Sequence, residues 1–126
     1  MLKLTSVRLQ LLWGILVGTI VLWSLLPYWG NQPRIVGTYF NRDWVHFLAY
    51  GVVSILPVLS WGRKTGLSLS IGVAVLATGL ELARALVEAR SLDIRYIVIN
   101  ILGIAAGMLL ALNILTIRSR MSRAGT

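Results

Sequence analysis

Four long apolar runs, almost free of charge, constrain this chain more than any other feature. They cover residues 9–27, 44–61, 66–86 and 96–117. A helix needs about 20 apolar residues to cross the hydrocarbon core of a bilayer, and each run has roughly that length. The sequence therefore predicts an all-α fold, an integral membrane four-helix bundle forming a single domain over residues 1–126. We expect the first run to be a retained helix, because no A-x-A-type cleavage site follows it.

The composition excludes several classes of protein and site. Only 13% of the residues are charged, whereas soluble domains average about 25%, so an ordinary soluble domain is excluded. The length leaves no room for a soluble catalytic domain beside the apolar runs. The chain has no Cys and one His, which excludes disulfides, thiolate catalysis and metal sites built from Cys or several His residues. We expect no metal and no cofactor. The net charge of +8 is dispersed among the apolar runs, so it favours a lipid bilayer as partner and not a nucleic acid.

The distribution of charge predicts the orientation of the helices. With four spans, both termini share one side with residues 62–65, and that side carries only bases: Lys3, Arg8, Arg63, Lys64, Arg118, Arg120 and Arg123. The other side combines the remaining bases with every acid of the chain: Arg34, Arg42, Arg84, Arg90, Arg95, Asp43, Glu81, Glu88 and Asp93. Short cytoplasmic loops are enriched in Lys and Arg, so both termini are predicted to be cytoplasmic. Most Trp and Tyr residues lie near the ends of the runs, as interfacial aromatic belts do.

Polar side chains form a layer near the predicted outer ends of three helices. A charged side chain near the centre of a span costs at least about 2.5 kcal/mol, so such groups rarely face lipid. Their spacings of three, four or seven residues place them on one face of each helix. The layer comprises Asp43, His46 and Tyr50 on the second helix, Glu81, Arg84 and Glu88 on the third, and Asp93 and Asn100 on the fourth. We expect these groups to converge on a pocket that opens to the outside.

Two further features predict helix packing. Gly103 and Gly107 continue the stripe of Asn100 as a small-xxx-small pattern, which lets two helix backbones approach closely. We favour packing inside the bundle over dimerisation, because the pattern shares a face with Asn100. Pro57 lacks a backbone N–H, so it is expected to kink the second helix or to free the carbonyl near Val53.

Three short blocks, in this order, resemble the VanZ-like family of small bacterial membrane proteins over about residues 42–107. The first block runs from Asp43 to Tyr50 and contains the Asp, His, Phe and Tyr of the family's first motif. The second runs from Glu81 to Arg84. The third comprises Arg90, Asp93, Asn100, Gly103 and Gly107. Three positions depart from the family pattern: Trp44 replaces a usual Lys, Arg84 a usual Gln, and Tyr96 a usual Asp.

The resemblance implies a cellular location more than a biochemical activity. It implies a multi-pass protein of the bacterial plasma membrane, linked to envelope homeostasis or glycopeptide tolerance, because the name-giving member is associated with teicoplanin resistance. The three departures remove one base and one acid and add a guanidinium, so the ligand of this chain is not expected to be held as in the family.

Three functions stay open at this point, beside transport, for which four short helices without an inverted repeat leave little room unless the protein oligomerises. The first is binding of a polar or anionic envelope component, a lipid headgroup or glycolipid, through Asp43, His46, Tyr50, Glu81, Arg84, Arg90, Asp93 and Asn100. The second is a non-catalytic assembly or regulatory subunit, acting as a homo-oligomer or with a membrane-protein partner, in which these residues only pair with one another. The third is a membrane-embedded hydrolase or transferase, with His46, Asp43 and Glu81 as the candidate acid and base groups.

Overall fold

The chain is all-helical over the residues that the structure describes. The computed structural model describes residues 2–25, 42–87 and 94–125, with side chains over 6–22, 44–87 and 94–125. These residues form four helices: α1 (Leu2–Leu25), α2 (Arg42–Trp61), α3 (Arg63–Val87) and α4 (Ile94–Ala124). Three of them contain segments long and apolar enough to cross a membrane, at Trp44–Trp61, Arg63–Val87 and Ile94–Ala124, and α1 has a shorter apolar segment, Ser6–Leu22. The predicted all-α class is confirmed for the described residues.

The second helix is the centre of the bundle. It contacts the three other helices and packs most extensively against α4. α1 runs antiparallel to it, because the Ser6 hydroxyl donates to the Ser60 carbonyl (2.9 Å) while the Trp13 indole reaches Val53 (2.9 Å). α3 is also antiparallel to α2, and α4 is parallel to it. The start of α1, the α2–α3 connection and the end of α4 therefore lie at one end of the bundle.

That end carries a concentration of positive charge. Its described basic side chains are all exposed, and no acid lies among the described residues there: Arg8, Arg63, Lys64, Arg118, Arg120 and Arg123. We call these residues the basic end. The bundle thus groups the charges that the sequence assigned to one side, while the cytoplasmic location of that side stays a prediction.

The helices expose many large apolar side chains and bury small and polar side chains together with a few apolar ones, such as Val53 and Ile104. Ile15, Val75 and Leu86 are 65%, 69% and 83% exposed, whereas Ser54 and Ser70 are fully buried. Membrane helices associate through small and polar residues in this way, because lipid solvates the large apolar side chains as well as a protein core does.

Two glycines shape the connection between α2 and α3. Gly62 has φ +88°, the left-handed conformation that ends many helices and that glycine adopts without a Cβ clash. A Cβ on Gly66 would lie 2.6 Å from the Pro57 carbonyl oxygen, so only glycine permits this approach. The two helices therefore pack together directly from the turn onward.

A hydrogen bond from α1 satisfies the carbonyl that Pro57 leaves without its helical donor. Pro57 lies inside α2 and has no N–H to donate to the carbonyl four residues earlier, that of Val53. The Trp13 Nε1–H donates to this oxygen at 2.9 Å, and its ring packs edge-on against Trp61 at 5.4 Å. The freed carbonyl is thus present, and Trp13 bridges α1 and α2, a role that the aromatic-belt interpretation did not include.

This bridge predicts a dependence of α1 docking on the proline. The substitution Trp13→Phe should lower the free energy of unfolding by about 1–3 kcal/mol, because it leaves a buried carbonyl unpaired. In a Pro57→Ala background the residue 57 N–H can donate to Val53, so the same substitution should cost much less. Unfolding of the four proteins in detergent measures both effects. Equal costs in the two backgrounds would contradict the assignment.

Candidate functional site

A polar pair joins α2 to α4 near the ends opposite the basic end. His46 Nδ1 lies 3.1 Å from Asn100 Oδ1, and Asn100 is only 4% exposed. A carbonyl oxygen only accepts, so in this arrangement Nδ1 carries the proton and donates it. The structure therefore brings together two residues, 54 positions apart, that the sequence placed on separate stripes.

Two tyrosine rings flank the His46 imidazole. The Tyr50 ring is stacked with it at 6.3 Å, and the Tyr96 ring is tilted against it at 5.2 Å. Tyr50 is buried, with 6% exposure, whereas His46 and Tyr96 are half-buried. Sequence reasoning treated Tyr96 as an interfacial aromatic residue and as a departure from a family pattern, and did not place it with His46. Its position four residues before Asn100, on the same helix face, is the signal that could have placed it here.

The third helix contributes Glu81 and Arg84, which continue its buried face toward the C-terminal end of the helix. That face comprises Gly66, Ser70, Val73 and Ala77, at intervals of four, three and four residues. Glu81 follows Ala77 by four residues and Arg84 follows by three more, which continues the same face. Both side chains are half-buried, and the Glu81 carboxylate is near enough to the Tyr50 hydroxyl to interact with it electrostatically.

We call His46, Tyr50, Tyr96, Asn100, Glu81 and Arg84 the polar cluster. The structure does not place the other three predicted site residues: Arg90 and Asp93 lie outside the described residues, and so does the side chain of Asp43. Within the described ranges, no three His, Asp or Glu side chains come close enough together to hold a metal ion.

An apolar cleft lies beside the polar cluster, between α1, α2 and α3. Only apolar surface lines it, from these residues: Val17, Ile20, Tyr50, Val53, Val73, Leu76, Ala77 and Leu80. Tyr50 therefore belongs both to this cleft and to the polar cluster. The predicted outward-facing pocket has a polar lining, so it is not this cleft, and it stays a prediction.

Two buried serines extend the polar contacts into the bundle, and sequence reasoning missed both. The Ser54 Oγ lies 2.9 Å from the Gly51 carbonyl and 3.1 Å from that of Ile104 on α4. The Ser70 Oγ donates to the Ser54 carbonyl at 3.0 Å. Ser54 continues the His46–Tyr50 stripe by four residues, which is the signal that could have found it. Among the described residues, every buried side-chain nitrogen or oxygen has a hydrogen-bond partner.

The two glycines of α4 lie directly against α2. A Cβ on Gly103 would lie 2.5 Å from the Phe47 carbonyl oxygen, and one on Gly107 would collide with the Gly51 carbonyl oxygen and the Ser54 Oγ. Close backbone approach at these positions allows the short contacts of His46 and Ser54 to α4.

The fold and the cluster together point to an α-helical membrane protein: three helices are long and apolar enough to cross a membrane, and polar side chains from α2, α3 and α4 lie near one end of the bundle. No protein-family model, curated protein or solved structure matches this chain.

Proposed function

We propose that this chain is a VanZ-like protein of a bacterial plasma membrane that binds a polar or anionic envelope component, a lipid headgroup or glycolipid, at the polar cluster. In this proposal both termini are cytoplasmic and the cluster opens to the outer side. The motif blocks of α2 to α4 support the family, and the all-basic end supports the orientation.

The observation that carries the binding proposal is the gradient of exposure across the cluster. Asn100 and Tyr50 are buried at its base, while His46, Tyr96 and Arg84 are half-buried. A purely structural set of ionisable groups would be expected to be enclosed, because a charge in the membrane needs its partners around it. Partial exposure at the end of a span instead leaves these groups within reach of a ligand at headgroup depth.

The side chains of the cluster suit an anionic ligand that also carries hydroxyl groups. The Arg84 guanidinium presents paired N–H donors that match a phosphate or carboxylate. The Glu81 carboxylate accepts hydrogen bonds from hydroxyl groups, and the Asn100 contact holds the His46 ring in one orientation.

A structural role in assembly is the second candidate, and the His46–Asn100 contact favours it. These two groups satisfy each other across α2 and α4, which stabilises the bundle whether or not a ligand binds. In this role the cluster would contribute only to folding, and the protein would act through its exposed helix surfaces.

Retention of a co-purified ligand separates the two candidates. Native mass spectrometry of the gently extracted protein should show a bound envelope lipid or glycolipid, which Arg84→Gln and His46→Gln should reduce by about tenfold, equivalent to the loss of one charge-assisted contact of ~1.4 kcal/mol. Arg95→Gln is the matched control, because it removes an equal charge from an exposed position beside Tyr96.

The control should keep the ligand, and thermal melts should show all three variants folded. A ligand lost equally from the Arg95 variant would contradict a specific role for Arg84. Folded His46 and Arg84 variants that retain the full amount of ligand would favour the assembly role.

A further inference from the structure

The last two turns of α4 extend beyond the rest of the bundle. The close contacts of α4 with α2 pair Phe47 with Gly103 and Gly51 with Gly107, and each pair is separated by 56 residues. The same separation sets Trp61, the last residue of α2, opposite Ile117. The segment 118–124 therefore continues past α2 by about 10 Å at helical rise. We call it the α4 extension.

Arginines surround the α4 extension on all sides. Arg118, Arg120 and Arg123 are exposed. At about 100° per residue, they point near 0°, 200° and 140° around the helix axis. No half of the circumference lacks an arginine. A nucleic acid or an acidic protein docks against one face of a helix, whereas lipid headgroups surround a helix that emerges from a bilayer.

The surroundings of the α4 extension place these arginines at headgroup depth. The apolar part of α4 ends at Ile117, directly before Arg118. Arg63 and Lys64 begin α3 at the same end of the bundle, just after Trp61, and both are exposed. Guanidinium groups bind phosphate through two parallel N–H donors. Each base near an anionic membrane surface increases the affinity of the protein segment for that surface about fivefold.

We propose that the basic end binds anionic phospholipid headgroups of the leaflet that surrounds it, with the α4 extension as the main contact. This site lies at the opposite end of the bundle from the polar cluster and does not depend on the function proposed for that cluster. Neutral lipids lack the net negative charge that the basic end attracts, so the protein should select anionic lipids from a mixture.

Competition between two lipids tests this selection. The full chain is reconstituted into nanodiscs with equal amounts of phosphatidylglycerol and phosphatidylcholine. Native mass spectrometry then counts the lipids that stay bound to the protein after it is released from the nanodisc. We expect phosphatidylglycerol to exceed phosphatidylcholine. The triple variant R118Q/R120Q/R123Q should lower that excess at least about fivefold, the contribution of a single base.

A matched control removes no charge from the same segment. Ser122→Gln adds the same glutamine side chain to the α4 extension and should keep the full preference. The substituted positions are exposed, so circular dichroism should show unchanged helix content in all variants. Lipid held at the polar cluster responds to Arg84→Gln and not to these variants, which keeps the two sites distinguishable.

Each other outcome would overturn the proposal. An unchanged phosphatidylglycerol preference in the folded triple variant would show that the arginines do not bind headgroups. An equal loss in Ser122→Gln would show that charge is not the cause. Absence of lipid preference, together with retardation of a DNA oligonucleotide by the purified protein, would assign the basic end to nucleic acid instead.

Discussion

Replacing Gly107 with alanine should lower the free energy of unfolding by about 3 kcal/mol or more. A Cβ at this position would collide with the Gly51 carbonyl oxygen and the Ser54 Oγ of α2. One obstacle is backbone, which cannot rotate away, so α4 must move outward. That movement lengthens the contact of Ser54 with the Ile104 carbonyl, now 3.1 Å. Denaturant titration in detergent micelles measures the effect.

Gly79→Ala is the matched control for this prediction. Gly79 lies on the exposed face of α3, and a Cβ there would meet nothing within 4 Å. Alanine has a higher helix propensity than glycine, so this variant should unfold at the same or a higher denaturant concentration. Similar destabilisation by both substitutions would show that the α2–α4 approach is not the cause.

The second large effect is expected at Asn100. The substitution Asn100→Leu should cost about 2–4 kcal/mol, because it removes the acceptor of the half-buried His46 Nδ1–H and places a larger side chain in a site that is 4% exposed. Asn113→Leu is the control on the same helix. Asn113 is exposed, so this change should cost nothing in a lipid environment.

A double variant separates the lost hydrogen bond from the change in volume. Replacing both partners, in His46→Phe with Asn100→Leu, removes the unpaired donor and should recover part of the stability lost in Asn100→Leu alone. No recovery would indicate that packing, and not the polar pair, dominates. If the double variant regains stability but retains no ligand, the pair serves binding as well as folding.

The helices and much of the polar cluster could be predicted from the sequence. Runs of about 20 apolar residues can only be helices in a membrane, because every backbone polar group must be satisfied within the segment. The spacing of His46 and Tyr50 on α2, and of Asn100, Gly103 and Gly107 on α4, placed each set on one face. The structure brings the two faces together.

The contacts between helices could not be predicted from the sequence. The carbonyl freed by Pro57 was expected near Val53, but nothing in the periodicity of α1 pointed to Trp13 as its donor. Ser54 and Ser70 looked like ordinary small polar residues of apolar helices, and their partners lie 50 and 16 residues away. A periodic pattern defines a face, whereas the identity of a neighbour depends on the rotation and register of two helices at once.

The sequence by itself determined that this chain is helical, that certain helix faces carry small and polar groups, and that one side has only bases while every acid falls on the other. Hydrophobicity and helical period are local properties, so they can be read along one segment. Only the tertiary structure decided that His46 meets Asn100, that Trp13 satisfies Val53, and that α4 continues past α2 with a ring of arginines. Those features depend on how closely two helix backbones approach at each glycine, and on the rotation and register that the helices then adopt.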